Sequence, residues 1–264
     1  MTGKHQIFQV DAFTDRVFAG NPAAVCLPAE SRDAEWMHAL ARELNQSSTT
    51  FIEERGDVFG IRWFTRREEL VLNGTGTLCS AHVLWETGRV PRDQEVKYES
   101  QSGPLAARWD DGWIEMNFPA GTVTAVDPPE GLIDGLGATP TLVVRSNRNV
   151  IALFENEAEV RALEPDYPLL ATIDTRGIIA TAADADSEFD FISRYFGPSG
   201  GIGEDPVNGS SHAELGPFWG ARLGREVLLA QQASPRGGLL RIRPEGDRVW
   251  IAGKAVTVAR GELA

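Results

Sequence analysis

The stretch Arg62-Trp63-Phe64-Thr65-Arg66-Arg67-Glu68-Glu69-Leu70-Val71-Leu72-Asn73-Gly74-Thr75-Gly76-Thr77 decides the fold, because its two ends occur twice in the chain. Arg62-Trp63-Phe64-Thr65 returns as Arg194-Tyr195-Phe196-Gly197, 132 residues later, and Asn73-Gly74-Thr75 returns as Asn208-Gly209-Ser210, 135 residues later. Further out, Gly88 is matched by Gly224 after 136 residues, and the tryptophan of Asp111-Gly112-Trp113-Ile114 by Trp250 after 137. An offset that drifts slowly while order is kept marks a duplicated unit with small loop insertions; chance matches scatter. The offset is about half of the 264 residues. The expectation is therefore two similar halves, 1–124 and 141–264, joined by a linker over 125–140 that is rich in Pro and Gly, with the last strand free to pack back on the N-terminal half.

Local patterns run in parallel through the copies. Gln6–Ala12 and Ala23–Leu27 read as strands around a Gly20-Asn21-Pro22 turn, and Ser31 as the cap of a helix with Trp36, Met37, Leu40 and Leu44 on one face. In the second copy Thr141–Val144 and Val150–Leu153 read as strands, followed by a short helix around Val160 and Leu163 that Pro165 stops. Each Asn-Gly-small tripeptide precedes an apolar helix: Leu78, Ala81, His82 and Trp85 share a stripe in one, and Ala213, Leu215, Phe218 and Trp219 are apolar in the other, where Pro217 must bend the helix or lie near its start. The tail Val249–Val258 alternates like a strand.

With 25 Lys plus Arg against 38 Asp plus Glu, the chain carries a formal charge of −13, and its pI is about 4.8. It has no basic run beyond Arg66-Arg67, which excludes nucleic acid and anionic membrane as partners. No segment approaches a membrane span or a signal h-region, so the expected location is cytoplasmic. Cys26 and Cys79 stand in apolar segments without close His or Cys, which favours packed, reduced thiols and no zinc site.

Glycine at a helix start is the ordinary way to make a strand-to-helix turn. Repeated in both copies beside Asn, it also leaves free N–H groups at the positive end of a helix, where a carboxylate can approach. Small carboxylate metabolites are thus the expected ligand class.

These residues, with Asp11-Ala12-Phe13-Thr14, Phe18-Ala19-Gly20-Asn21-Pro22-Ala23-Ala24-Val25, Ala41–Phe51, Glu204-Asp205-Pro206-Val207-Asn208-Gly209-Ser210 and Gly237-Gly238, resemble the phenazine-biosynthesis PhzF-like isomerase family over nearly the whole chain. The resemblance implies an α/β (α+β) architecture of two pseudo-symmetric, diaminopimelate-epimerase-like domains, each a strongly curved, mostly antiparallel sheet around a central helix, with the active site in the cleft between them. It implies a homodimer that uses no metal and no organic cofactor, and that relocates a proton on a small unsaturated carboxylic or amino acid.

Two positions depart from that pattern. Where the family has Asn-Leu-Ser-Glu-Thr, this chain reads Asn45-Gln46-Ser47-Ser48-Thr49, so Ser48 takes the place of the proton-carrying glutamate; where it has Cys-Gly-His-Ala-Thr, this chain reads Asn73-Gly74-Thr75-Gly76-Thr77, so Thr75 takes the place of the histidine. The candidate catalytic set is Asp205 with Ser48 and Thr75 at the substituted positions. The candidate substrate-binding set is Asn21, Ser47, Asn73, Gly74, Gly76, Asn208, Gly209, Ser210 and His212.

Asp205 is open to three roles: the working acid or base, an anchor for a substrate amine, or a helix cap. His212 is open to two, a catalytic group or a packed core histidine. The leading functional expectation is a PhzF-like isomerase with an altered proton route. The alternatives are a catalytically silent member that binds a small carboxylate as sensor or protein partner, and a cofactor-free amino-acid epimerase, which needs two opposed acid or base groups.

Overall fold

A computed structural model describes residues 4–184, 187–198 and 202–263. They divide into two compact units, residues 1–117 with 252–264, and residues 118–251.

The first unit runs β1 (Gln6–Ala12), β2 (Asn21–Leu27), α1 (Ala34–Leu44), β3 (Thr49–Arg55), β4 (Val58–Phe64), β5 (Glu69–Leu70), α2 (Gly74–Glu86), β6 (Val96–Ser100), β7 (Gly103–Asp110) and β8 (Trp113–Pro119), and closes with the last strand, β18 (Ala255–Glu262). The second runs β9 (Thr124–Ala125), α3 (Leu132–Leu136), β10 (Leu142–Arg145), β11 (Asn149–Leu153), α4 (Glu157–Ala162), α5 (Tyr167–Leu170), β12 (Gly177–Ala183), β13 (Phe191–Gly197), β14 (Ile202–Asp205), α6 (His212–Leu223), β15 (Leu228–Gln232), β16 (Gly238–Glu245) and β17 (Arg248–Gly253).

The duplication is a duplication of ladders. Most pairings are antiparallel hairpins, but each unit has two parallel pairs at corresponding places. β2 pairs with β3 across α1, and β11 with β12 across α4 and α5. β4 then pairs with β6 across α2, and β13 with β15 across α6. Parallel neighbours need a crossover, and a helix supplies it each time. In the first unit α2 packs against β1, β2, β3, β7 and β18, and all of it but its two ends and His82 is buried, which explains why it reads as apolar on nearly every face. β18 lies antiparallel to β1. The tip between β7 and β8, Asp111-Gly112, has φ of 45° and 85°, as a tight hairpin turn requires.

Two local expectations are revised, and a third, open between two readings, is decided. The cap of α1 is Asp33, whose Oδ1 accepts from Trp36 N at 2.8 Å, while the Ser31 hydroxyl donates to Glu53. The 125–140 stretch contains α3 and lies inside the second unit, with Leu132 and Leu136 in its core; three prolines and three glycines hid a helix of only five residues. Pro217 stands inside α6, neither at its start nor beyond it. Proline cannot donate to the carbonyl four residues back, which here is that of Ala213; Gly121 N–H takes that acceptor instead, at 2.9 Å. Position 121 must be glycine for this approach, since a Cβ there would lie 2.4 Å from Glu214 Cγ.

Cys26 and Cys79 are free and buried, and burial pushes the Cys26 thiol up to about 12. No helix of the described residues is long and apolar enough to cross a membrane.

Candidate active site

The two copies build their helix starts in related ways. Asn73 is the cap of α2: its Oδ1 accepts from Gly76 N–H at 2.6 Å. Asn208 makes the corresponding bond one turn earlier: its Oδ1 accepts from Ser211 N–H at 2.8 Å in the turn that leads into α6, whose own cap position, Ser211, makes no side-chain capping bond. A side-chain oxygen that satisfies the third amide leaves the flanking amides and the helix dipole to face outward. The strand before each start is braced alike. Arg62 grips Glu69 through two bonds of 2.7 and 2.8 Å and lies over the Phe64 ring; Arg194 grips Glu204 through two bonds of the same lengths and lies over Phe196. Planar two-point pairing fixes orientation as well as charge.

Thr50 and Trp63 press on Gly76 at the α2 start, next to Thr75 of the helix itself; these residues, and Ser48 and Thr49 just ahead of Thr50 in the chain, are all buried. Gly76 is forced by close approach: a Cβ there would lie 2.3 Å from Thr50 Oγ1 and 2.6 Å from Trp63 Cδ1. Thr50 and Trp63 face each other across the β3–β4 ladder. Ser48 Oγ, Thr50 Oγ1 and Trp63 Nε1 are buried and make no hydrogen bond among the described residues, which is uncommon for buried polar groups. Asn21, at the start of β2, is buried as well, while the exposed Ser47 donates its hydroxyl to the Pro22 carbonyl. Ser48 Oγ thus has no base within hydrogen-bond reach among the described residues to take its proton.

In the second unit Asp205 ends β14, half-buried and directly across from Tyr195 of β13. Asn208 Nδ2 donates to its carboxylate at 2.9 Å. The loop between them is held by Gln232, wholly buried, whose Nε2 donates to Asp205 O at 2.7 Å and whose Oε1 accepts from Asn208 N at 2.8 Å. Gln232 escaped the sequence reading; the available signal was a paired glutamine closing an apolar strand, Leu228-Leu229-Ala230-Gln231-Gln232. Gly209 is buried, and the exposed Ser210 donates to Asn208 Oδ1 at 2.8 Å, so that one asparagine organises the whole start.

His212 resolves into the packed role. It is fully buried and ring-stacked on Phe191, with Nδ1 at 2.8 Å from the Asn208 carbonyl and Nε2 at 3.3 Å from Ser193 Oγ. A carbonyl only accepts, so Nδ1 carries the proton and Nε2 is left as acceptor. Burial drives its pKa down to about 4, against the pull of that carbonyl. A group that stays neutral and sealed cannot meet a substrate; it belongs to the wall behind the site. Asp205 is then the one ionisable group left in the candidate set. Among the described residues no group of three or more His, Cys, Asp or Glu is placed to hold a metal ion.

A family model described as phenazine biosynthesis-like protein matches residues 10–261. An uncharacterized isomerase of Halalkalibacterium halodurans is 45% identical over 258 residues, covering 97% of each chain. The crystal structure of a PhzF-family phenazine biosynthesis protein from Enterococcus faecalis superposes with a TM-score of 0.95 at 35% identity, over 99% of this chain and 100% of that one. A predicted epimerase from Pseudomonas aeruginosa, 21% identical, shares the fold with a TM-score of 0.71 over 99% of both chains.

Proposed function

The chain belongs to the phenazine biosynthesis-like family, and from that premise we propose that it is a cofactor-independent isomerase that moves a proton within a small unsaturated carboxylic acid, with Asp205 as its single acid/base group. The observation that carries this reading is the contrast between Asp205 and His212. One is a half-buried carboxylate that accepts from Asn208 Nδ2, on a backbone that Gln232 holds; the other is sealed and neutral. A lone carboxylate can take a proton from carbon beside an electron-withdrawing group and return it to another carbon on the same face. Epimerisation needs a second group on the opposite face, and Ser48, Thr75 and His212 do not supply one. The helix start capped by Asn73 and, separately, the Asn208 turn that leads into α6 each present amides suited to a carboxylate or to developing negative charge.

A pool of small metabolites incubated with the protein in deuterated water tests this by mass spectrometry. The proposal expects one unsaturated acid to gain a single deuterium at a carbon position, together with a positional isomer. Deuterium confined to the α-carbon of an amino acid, with both enantiomers appearing, supports the epimerase reading instead. Binding of a carboxylate without any exchange supports the silent carboxylate-binding reading, as sensor or partner, which the lack of a base within hydrogen-bond reach of Ser48 favours.

A further inference from the structure

The parallel pairing of β2 with β3 stops short of the end of β3. Its last pair is Cys26 with Phe51, and Pro28, which has no N–H to donate, does not continue it. β3 runs on beside β4 as far as Arg55 opposite Val58, so beyond Phe51 its other edge has no strand partner among the described residues.

A cavity of about 400 Å³ opens at that split, within the first unit. This falls in the range of sites for small organic molecules, about 300–1,000 Å³. Its floor is apolar: Leu27, Ile52, Phe59 and Leu84 line it, and none is more than 8% exposed. Leu84 comes eight residues after Gly76, about 12 Å along the axis of α2, so the cavity lies at the opposite end of that helix from its capped start.

The rim is charged, and its sign is negative. Glu30, Glu53 and Glu54 line the cavity against one cation, Arg89. Glu53 engages both oxygens nearby, accepting from Ser31 Oγ at 2.9 Å and from Arg55 at 3.3 Å. Arg32 approaches Glu30 through Oε1 at 2.8 Å, and Arg89 approaches Glu54 through Oε1, which leaves each of these carboxylates a second oxygen to offer. Arg32 and Arg55 stand outside the lining, and Arg89 is committed to Glu54 and, at 3.3 Å, to Gln6 Oε1. The last turn of α2, which reaches the cavity at Leu84, carries no basic residue, so the negative end of the helix dipole adds to the same sign. An anion is repelled from such a rim. A bare metal ion finds no group of three His, Cys, Asp or Glu ligands among the described residues.

We infer that this cavity binds a small organic cation, an ammonium group on a hydrocarbon body. The body covers the floor of Leu27, Ile52, Phe59 and Leu84, and the ammonium meets the carboxylates of the rim. The site goes beyond the proposed isomerisation and uses none of the groups assigned to it.

Titration calorimetry on the intact protein at low ionic strength tests it, with 2-phenylethylamine, with hexylamine as a second body, and with 2-phenylethanol and phenylacetate as neutral and anionic counterparts. At least one amine should bind saturably, 2-phenylethanol at least fivefold more weakly than 2-phenylethylamine, and phenylacetate should not displace the amine. The double variant Glu30→Gln with Glu54→Gln should weaken amine binding tenfold or more. Ala29→Trp should abolish it by filling the cavity from its exposed side, since Ala29 lines the cavity and anchors itself only through its backbone N–H, at 3.0 Å from His5 Nδ1. Asp205→Asn should bind the amine as the wild type does. Near-UV circular dichroism establishes that each variant is folded. Absence of saturable binding by either amine, equal binding of the alcohol, displacement by phenylacetate, binding that survives both the glutamine pair and Ala29→Trp, or loss in Asp205→Asn overturns the inference. No proton exchange is read, so failure here leaves the isomerase reading standing, and failure of that reading leaves this result standing.

Discussion

Asn208 Nδ2 donates to an Asp205 carboxylate oxygen at 2.9 Å while Asn208 Oδ1 accepts from Ser211 N–H at 2.8 Å, so one side chain both holds the acid/base candidate and closes the turn that leads into α6. Asn73 makes only the second kind of bond, at the α2 start. Asn73→Ala and Asn208→Ala should each cost about 1 kcal/mol of stability as that bond is lost. Only the second should release Asp205, so its proton-exchange rate should fall much further than that of a stability-matched Asn73→Ala. Denaturant midpoints read the first effect and deuterium incorporation the second.

Gly76→Ala gains helix propensity but places a methyl group 2.3 Å from Thr50 Oγ1 and 2.6 Å from Trp63 Cδ1, neither of which is a loose side-chain end. Overpacking should dominate, with a loss of about 1–3 kcal/mol in urea unfolding. The double variant Gly76→Ala with Trp63→Phe, which trims the indole, should recover part of it.

The duplicated arginine pairs should differ in energy because they differ in burial. Arg194 and Glu204 are 10% and 11% exposed, against 30% and 23% for Arg62 and Glu69. Arg194 also donates to the carbonyls of Leu163 and Val160 at the end of α4. Arg194→Ala leaves Glu204 buried and unpaired and should cost about 3–5 kcal/mol, whereas Arg62→Ala should cost about 1 kcal/mol or less. Equal losses in chemical denaturation would contradict the assignment.

His212 makes stability pH-dependent with a definite sign. The unfolded side chain takes its proton near pH 6.5 and the folded one only near 4, so between these values the unfolded state binds the extra proton. Its contribution is complete above pH 6.5 and is lost as pH falls toward 4, by roughly 3 kcal/mol at most. Glu214, raised by burial, acts in the opposite direction, so the two must be separated by mutation. Unfolding free energies of His212→Gln should fall less steeply from pH 7 to 4.5 than those of the wild type. Parallel curves would remove His212 as the source.

Much of the fold was legible because duplication writes each signal twice. The Asn-Gly-small matches marked two helix starts, and the Arg-aromatic-Phe matches fall on β4 and β13, which hold corresponding places in ladders whose parallel pairs the sequence reading did not reach. What stayed hidden was tertiary in origin. Pro217 reads as a helix breaker until Gly121 is seen to serve the carbonyl it abandons. His212 reads as a titratable group until its burial and its two partners are known. Gln232 lies 27 residues from Asp205 in the chain, too far for any spacing rule to connect them. The orphaned hydroxyls of Ser48 and Thr50 also depend on packing that the sequence does not spell out.

The account stands most directly on the proton that Asp205 is proposed to carry. Once a deuterium-exchanging acid has been found, its exchange rate in deuterated water should be compared between wild type and Asp205→Asn, a variant that keeps the size of the side chain and an oxygen for Asn208 to donate to. A fall of at least about a hundredfold, with folding and carboxylate binding intact, is the predicted result. Exchange within about twofold of wild type would contradict the central claim.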